Sequence, residues 1–216
     1  MIKLSKTSKL DGIMSWSLQA LETCQGSVGT DGALVDACKG CYATTGHYSM
    51  PNVKAPREFN KTDWLRPDWV FDMVAGLAKQ THFRWFDSGD LYHPALAEKV
   101  LEIMTATPHV KHWMPTRMHK FAKFADVLAR MEALPNVVIR RSSDSVDGGT
   151  VAGLTTSTIV SDEAQVPAGA SVCRAYEHEG KCSGCRACWD KNVAVVAYKA
   201  HGAKMAKVIR LKVEAV

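Results

Sequence analysis

The sequence predicts an α/β fold, a sheet of about six parallel strands with a small cysteine-rich segment toward its C-terminal end. Three observations predict it. Short apolar segments alternate with amphipathic ones along most of the chain. The connections between them are a few residues long, which fits strand–helix–strand units with right-handed crossovers. The polar and cysteine-bearing turns follow the strands, and in parallel sheets ligands gather at the carboxyl ends.

The chain has 216 residues and is 46% hydrophobic, enough for one well-buried core. Residues 1–160 are expected to form the α/β body with a first cysteine loop, and 161–216 a cysteine-rich segment, a last strand and a basic tail. No run approaches the roughly 20 apolar residues of a membrane span, and the first residues lack the apolar centre of a signal peptide. No membrane association is expected, and the expected location is a reducing cytoplasm. There, seven cysteines are better metal ligands than disulfide partners. Lys and Arg outnumber Asp and Glu by 27 to 22, for a formal charge of +5. Such a balance permits a phosphate-bearing partner such as a nucleic acid without requiring one.

Taken in order, residues 1–11 are lysine-rich and aperiodic, as expected of an arm or edge strand. Residues 13–18, Ile-Met-Ser-Trp-Ser-Leu, alternate as a half-buried strand does. From Tyr42 to Pro56 the chain carries Gly46, Pro51 and Asn52 and reads as irregular. Asp68 is a suitable N-cap for a helix ending near Gln80, with Val70, Phe71, Met73, Val74 and Leu77 as its apolar positions. A short strand follows at 82–86, then a helix whose first turn takes Pro94 and whose stripe is Leu96, Val100, Leu101 and Met104. Residues 110–114 read as a strand, 121–134 as a helix and 136–140 as a strand. Beyond a Thr-, Ser- and Gly-rich stretch, 157–160 and 193–198 read as strands, and the tail from His201 has helical spacing.

Two groups of cysteines carry chemistry. Cys182, Cys185 and Cys188 are spaced three apart, so one tight turn can aim three sulfurs at a common centre, and Cys173 closes the set. Zinc is the competing metal, because four thiolates also make a closed structural zinc site. Cys38 and Cys41 form a metal-type knuckle, with Cys24 thirteen intervening residues away. Three thiolates leave one coordination position for water, a substrate or a side chain such as Asp36 or His47. The competing reading of Cys24 is an ordinary core thiol. Ser88, Gly89 and Asp90 sit between a strand and a helix, either as a plain tight turn or as a place where backbone and carboxylate meet a ligand ammonium. Arg117 ends the next strand and suits a carboxylate or phosphate, or a surface ion pair. Ser142 and Ser143 end the strand after that, where they suit sugar hydroxyls. Tyr42, next to Cys41, could shield a cluster or stack on a base.

The arrangement of a cysteine loop after the first strand, a Ser-Gly-Asp turn after the second and polar residues ending the fourth resembles the radical S-adenosylmethionine superfamily, which implies that the parallel strands form a partial (β/α) barrel. More closely, Ser15-Trp-Ser-Leu18, Cys38-Lys-Gly-Cys-Tyr-Ala43, Phe83-Arg-Trp-Phe-Asp-Ser-Gly-Asp90, Pro115-Thr-Arg-Met-His119, Ser142-Ser-Asp-Ser145 and Cys182-Ser-Gly-Cys-Arg-Ala-Cys-Trp189 look like the phage-encoded gene product 88 family. That resemblance covers roughly residues 4–205 and implies the host cytoplasm as location. The superfamily resemblance implies a four-iron–four-sulfur (4Fe-4S) cluster on Cys24, Cys38 and Cys41 that chelates S-adenosylmethionine, with Ser88, Gly89 and Asp90 at its amino group. It places Arg117 at the carboxylate and Ser142 or Ser143 at the ribose. It implies a second 4Fe-4S cluster on Cys173, Cys182, Cys185 and Cys188, and reduction by an electron donor such as a flavodoxin or ferredoxin, with the substrate unidentified. The sequence departs from the superfamily by the long gap after Cys24 and by an aromatic, Tyr42, that follows the last cysteine instead of preceding it.

Overall fold

Alternation in the 82–85 segment sets the layers of the molecule. Phe83 and Trp85 are fully buried on one side of the strand, while Arg84 projects to the other, as the period of two requires. The computed structural model describes residues 1–214. Its sheet has eight strands: β1 (Ser5–Lys6), β2 (Met14–Trp16), β3 (His82–Trp85), β4 (Lys111–Thr116), β5 (Val137–Ser142), β6 (Thr156–Val160), β7 (Ser171–Cys173) and β8 (Val195–Lys199). The spatial order is β1-β2-β3-β4-β5-β6-β8-β7. Only β1 runs antiparallel to its neighbour; every other pair is parallel.

Six α-helices are described: α1 (Asp36–Lys39), α2 (Pro51–Asp63), α3 (Trp69–Leu77), α4 (Pro94–Ala106), α5 (Ala125–Ala133) and α6 (Ala203–Glu214). Helices α3, α4 and α5 pack in sequence, and their apolar stripes close over Trp16, Phe83, Trp85, Met114 and Ile139. Trp16 stands edge-on to Trp69, Trp85 and Phe86 at centroid distances of 5.3, 6.1 and 5.8 Å. Such pairs add about 0.5–1.5 kcal/mol each beyond their buried area.

The opposite side of the sheet is covered differently. Leu10, Trp113 and Trp189 form a small apolar cluster there, with Cys182 and Cys188 against it. Trp189 donates its indole N–H to the Phe83 carbonyl at 2.9 Å and meets Trp113 edge-on at 5.0 Å. The second cysteine run is therefore packed against the sheet itself.

One sequence expectation is corrected, and one element is new. The stretch read as irregular up to Pro56 contains the start of α2, in which Pro51 occupies the first turn and Pro56 lies inside. Proline at the first position loses no helical bond, and the loss at Pro56 is offset by tertiary anchoring, since buried Asn60 donates to the Lys3 and Ser17 carbonyls. The edge strand β7, not anticipated, places Cys173 beside Tyr198 of β8.

Candidate functional site

The exits of β2, β3, β4 and β5 converge on the first cysteine loop. Cys24 and Cys38 are far apart in sequence, but the intervening loop is pinched shut. Val28 bridges Leu34, and the Val35 amide donates to the Ser27 carbonyl at 2.9 Å. Helix α1, carrying Cys38, then hangs from the β5 exit through the Ala37 amide, 2.9 Å from the Asp144 carbonyl, and the Cys41 amide turns back to the Cys38 carbonyl at 3.1 Å. Gly26 lies so close to Arg117 that an added Cβ would stand 2.5 Å from the Arg117 Cβ. Helix α6 closes the far side, with Met205 packed near Ala37.

The three thiols feel one another electrostatically. Burial pushes the Cys24 thiol up to about 12, with Asp90 and then Cys38 and Cys41 adding to the shift. Burial likewise raises Cys38 and Cys41, while Arg117 opposes it at both, Lys120 at Cys38 and Lys204 at Cys41. Three cations thus face the thiols. Neither side chain considered as a fourth ligand is drawn in: Asp36 pairs with Lys39 at 2.8 Å, and His47 is exposed.

The other candidate residues line the same end of the sheet, and most hold it together. The Ser88 hydroxyl donates to the Leu18 carbonyl at 2.7 Å. Gly89 has φ of +77°, and a Cβ there would stand 2.6 Å from that of Leu18 and 2.7 Å from the Thr23 hydroxyl. Asp90 is buried and accepts from the Leu91 amide, the Thr116 hydroxyl and the Arg117 amide at 2.7, 2.7 and 2.8 Å. Arg117 donates to Asp144 at 3.2 Å and to the Ser143 carbonyl at 2.6 Å. Ser142 is half-buried and pairs with Ser157 of β6, while the Ser143 hydroxyl lies 3.2 Å from that of Ser145. The Tyr42 hydroxyl donates to the Asp87 carbonyl at 2.7 Å.

The second cysteine group lies on the sheet face away from α3–α5. Asp11 ties down its turn, accepting from the Ser183 and Gly184 amides at 3.1 and 3.0 Å and from Arg186 at 2.8 Å. The Cys182 amide donates to the Lys9 carbonyl at 2.8 Å. Burial pushes the Cys182 thiol up to about 11, with Cys188 and Cys173 adding to it. Cys188 lies 3.1 Å from the Tyr198 hydroxyl. Burial raises its thiol as well, and Tyr198, Arg140 and Arg84 oppose that rise. Cys185 is exposed. Among the described residues, no three His, Cys, Asp or Glu side chains stand close enough to hold a single metal ion as they are.

Arg140 is fully buried and ties β5 to the segment that carries Cys188. It donates to the carbonyls of Ala187, Cys188, Val193 and Asp190 at 2.8, 3.0, 2.9 and 2.9 Å. All four acceptors are neutral.

A family model described as gene product 88 matches residues 1–210. The chain belongs to the gene product 88 family. No curated protein and no solved structure matches it. The family match runs through both cysteine groups and every strand exit named above.

In this gene product 88 protein the residues that sequence reasoning missed are Asp11, Arg84, Arg140 and Tyr198. One signal was available: Arg140 and Arg141 follow an uninterrupted apolar run, Val137-Val-Ile139, where a strand buried on both faces leaves a charge no route to water. An open groove of about 680 Å³ lies at the other end of the sheet, between His82, Lys111, Asn136 and the segment from Arg186 to Val193. It is remote from the first thiol loop, whereas the carboxyl strand ends are where α/β sheets bind ligands. Among the described residues, no helix is long and apolar enough to cross a membrane.

Proposed function

We propose that this phage-family protein is an iron–sulfur protein of the host cytoplasm, in which the sheet curls as a partial barrel around two 4Fe-4S clusters. Cys24, Cys38 and Cys41 would hold the first, and Cys173, Cys182, Cys185 and Cys188 the second. The observation that carries this reading is the placement of three thiols, Cys38 buried and Cys24 and Cys41 half-buried, in one loop at the strand exits, faced by Arg117, Lys120 and Lys204. The donor chemistry fits, because a thiolate-bound cluster is anionic and those cations stabilise the ionised sulfurs. At the second site Arg84 and Arg140 stand in the same relation to Cys188. Zinc competes there, since four thiolates also suit a closed zinc site.

We propose further that the first cluster has one iron free of protein ligands and acts on S-adenosylmethionine. When bound, such a cluster supplies the electron for reductive cleavage of the sulfonium. The chain's own part would be to hold the cofactor with the Ser88–Gly89–Asp90 turn, Arg117 and the Ser142–Ser143 exit, and to screen it from water with Tyr42. A flavodoxin or ferredoxin would be the electron donor. Protein purified without oxygen, reduced, and mixed with S-adenosylmethionine should then yield 5′-deoxyadenosine.

A second reading has its own support. Ser88, Asp90 and Arg117 are already bonded within the protein, so a redox or structural iron–sulfur protein, with basic α6 touching nucleic acid or another phage protein, asks less rearrangement of them. Iron-loaded, reduced protein that forms no 5′-deoxyadenosine and binds no S-adenosylmethionine would select this reading.

A further inference from the structure

Arg57 of α2 and Arg84 of β3 are 5% and 9% exposed, and they meet at the β3 exit beside Tyr42. One carboxylate serves both. Asp87 takes Arg84 Nη1 at 2.9 Å and has Arg57 Nη2 at 4.0 Å, and it also accepts from the Tyr48 hydroxyl at 2.5 Å. Arg57 lies over the Tyr48 ring at 4.6 Å, and Arg84 over the Trp113 ring at 4.5 Å.

Two guanidiniums against one carboxylate leave one positive charge over. The neighbouring hydroxyls do not supply the missing anion. Both the Tyr42 and Tyr48 hydroxyls donate to Asp87, one to its carbonyl and the other to its carboxylate, so both carry their protons. Arg84 is the closer of the two to the shared carboxylate, which leaves Arg57 as the less compensated. Donors remain over as well. Arg57 Nε, Arg57 Nη1 and Arg84 Nε are buried with no partner among the described residues. Buried charged donors without acceptors are costly, and an acceptor with several oxygens removes that cost at once.

We propose that Arg57 and Arg84 form a binding site for the oxyanion, carboxylate or phosphate, of a small ligand at the carboxyl end of β3. Its place beside the Cys41–Tyr42 segment makes it the anchor for the substrate of the first thiol site, a role that rests on the proposed function, whereas the binding itself does not. The Tyr42 hydroxyl is inside, bonded to the Asp87 carbonyl, yet the residue is 47% exposed, so its ring forms the wall between this site and solvent. Guanidiniums take planar carboxylates and tetrahedral phosphates alike.

The test is calorimetric titration of the full chain with inorganic phosphate, a mononucleotide, acetate and citrate, in a chloride buffer of constant ionic strength. Saturable millimolar or tighter binding of at least one is expected, and the series separates phosphate from carboxylate. Arg57→Gln should weaken that binding at least roughly tenfold, with Arg57→Lys recovering part of it, while cysteine-bound metal is unchanged. Circular dichroism checks that Arg57→Gln is folded, and Tyr42→Ala, which opens the wall and removes only the long 3.4 Å bond from Arg84 Nη2, should speed association. Binding that is equal in wild type and Arg57→Gln, or no saturable binding of any probe to folded wild type and Tyr42→Ala, would overturn the site. Neither result depends on whether iron or S-adenosylmethionine is bound.

Discussion

Replacing Arg140 by Met keeps the volume of the buried stem and removes the guanidinium from four carbonyls. Those carbonyls belong to Ala187, Cys188, Asp190 and Val193, so one side chain from β5 fixes the whole segment that carries Cys188. Hydrogen bonds to a charged group contribute about 1.5–3 kcal/mol each, and the gain is offset by the cost of burying the guanidinium. Burial lowers the Arg140 pKa, as that cost requires. Removing the donor leaves acceptors behind without restoring water to them, and the net loss expected is about 3–5 kcal/mol. Against a typical total of about 5–15 kcal/mol, that is a large fraction. With a urea slope of about 2 kcal/mol per molar, the midpoint should fall by roughly 1.5–2.5 M. Urea unfolding followed by tryptophan fluorescence measures this, and Trp189 lies within the released segment. Hydrogen exchange should show amides 187–193 losing protection before the rest of the sheet. A loss under about 1 kcal/mol with unchanged protection there would refute the role assigned to Arg140.

Other expectations follow from the same geometry. Gly89→Ala forces a side chain into the left-handed region and against Leu18 and Thr23, and should cost about 2–4 kcal/mol in thermal or urea unfolding. Buried His112 takes the Trp85 indole N–H on Nδ1 at 3.2 Å, and its Nε2 lies 2.9 Å from the Thr107 hydroxyl, which itself donates to the Ile103 carbonyl. The ring is therefore the neutral Nε2–H tautomer, and burial lowers its pKa to about 3. The unfolded chain binds the proton first, so stability is whole above pH 6.5 and falls by up to about 1.4 kcal/mol per unit as pH drops toward 3; His112→Gln should flatten that slope. Asp11→Ala frees two amides and Arg186, and should speed alkylation of Cys182 and Cys185 by iodoacetamide in metal-free protein, read by mass spectrometry, with Cys38 unaffected.

How far the sequence carries the fold depends on where the deciding contact lies. From β3 to β5 each helix shows its own stripe and each strand its own apolar run, so local pattern suffices. Helix α2 was hidden because Pro51 and Pro56 read as breakers and its buried residues are Arg57, Asn60 and Asp63 rather than a hydrophobic stripe. Its position is set by bonds to Lys3 and Ser17, more than forty residues away. The cysteines were legible as two groups because thiols are rare and closely spaced. Their surroundings were not: Asp11 reaches Gly184 and Arg140 reaches Val193 only once the sheet has formed. The Ser88–Gly89–Asp90 turn shows the converse. Its composition suits a ligand loop and a brace equally, and only the contacts to Leu18, Thr116 and Arg117 reveal the bracing.

The most direct test of the two-cluster account is the iron content of anaerobically prepared protein, compared between wild type, Cys24→Ser and Cys188→Ser. About eight irons per chain are expected in wild type and about four in each variant, with the remaining visible absorption differing between the two. Colourless protein carrying stoichiometric zinc, or iron lost equally from both sites by either substitution, would contradict it.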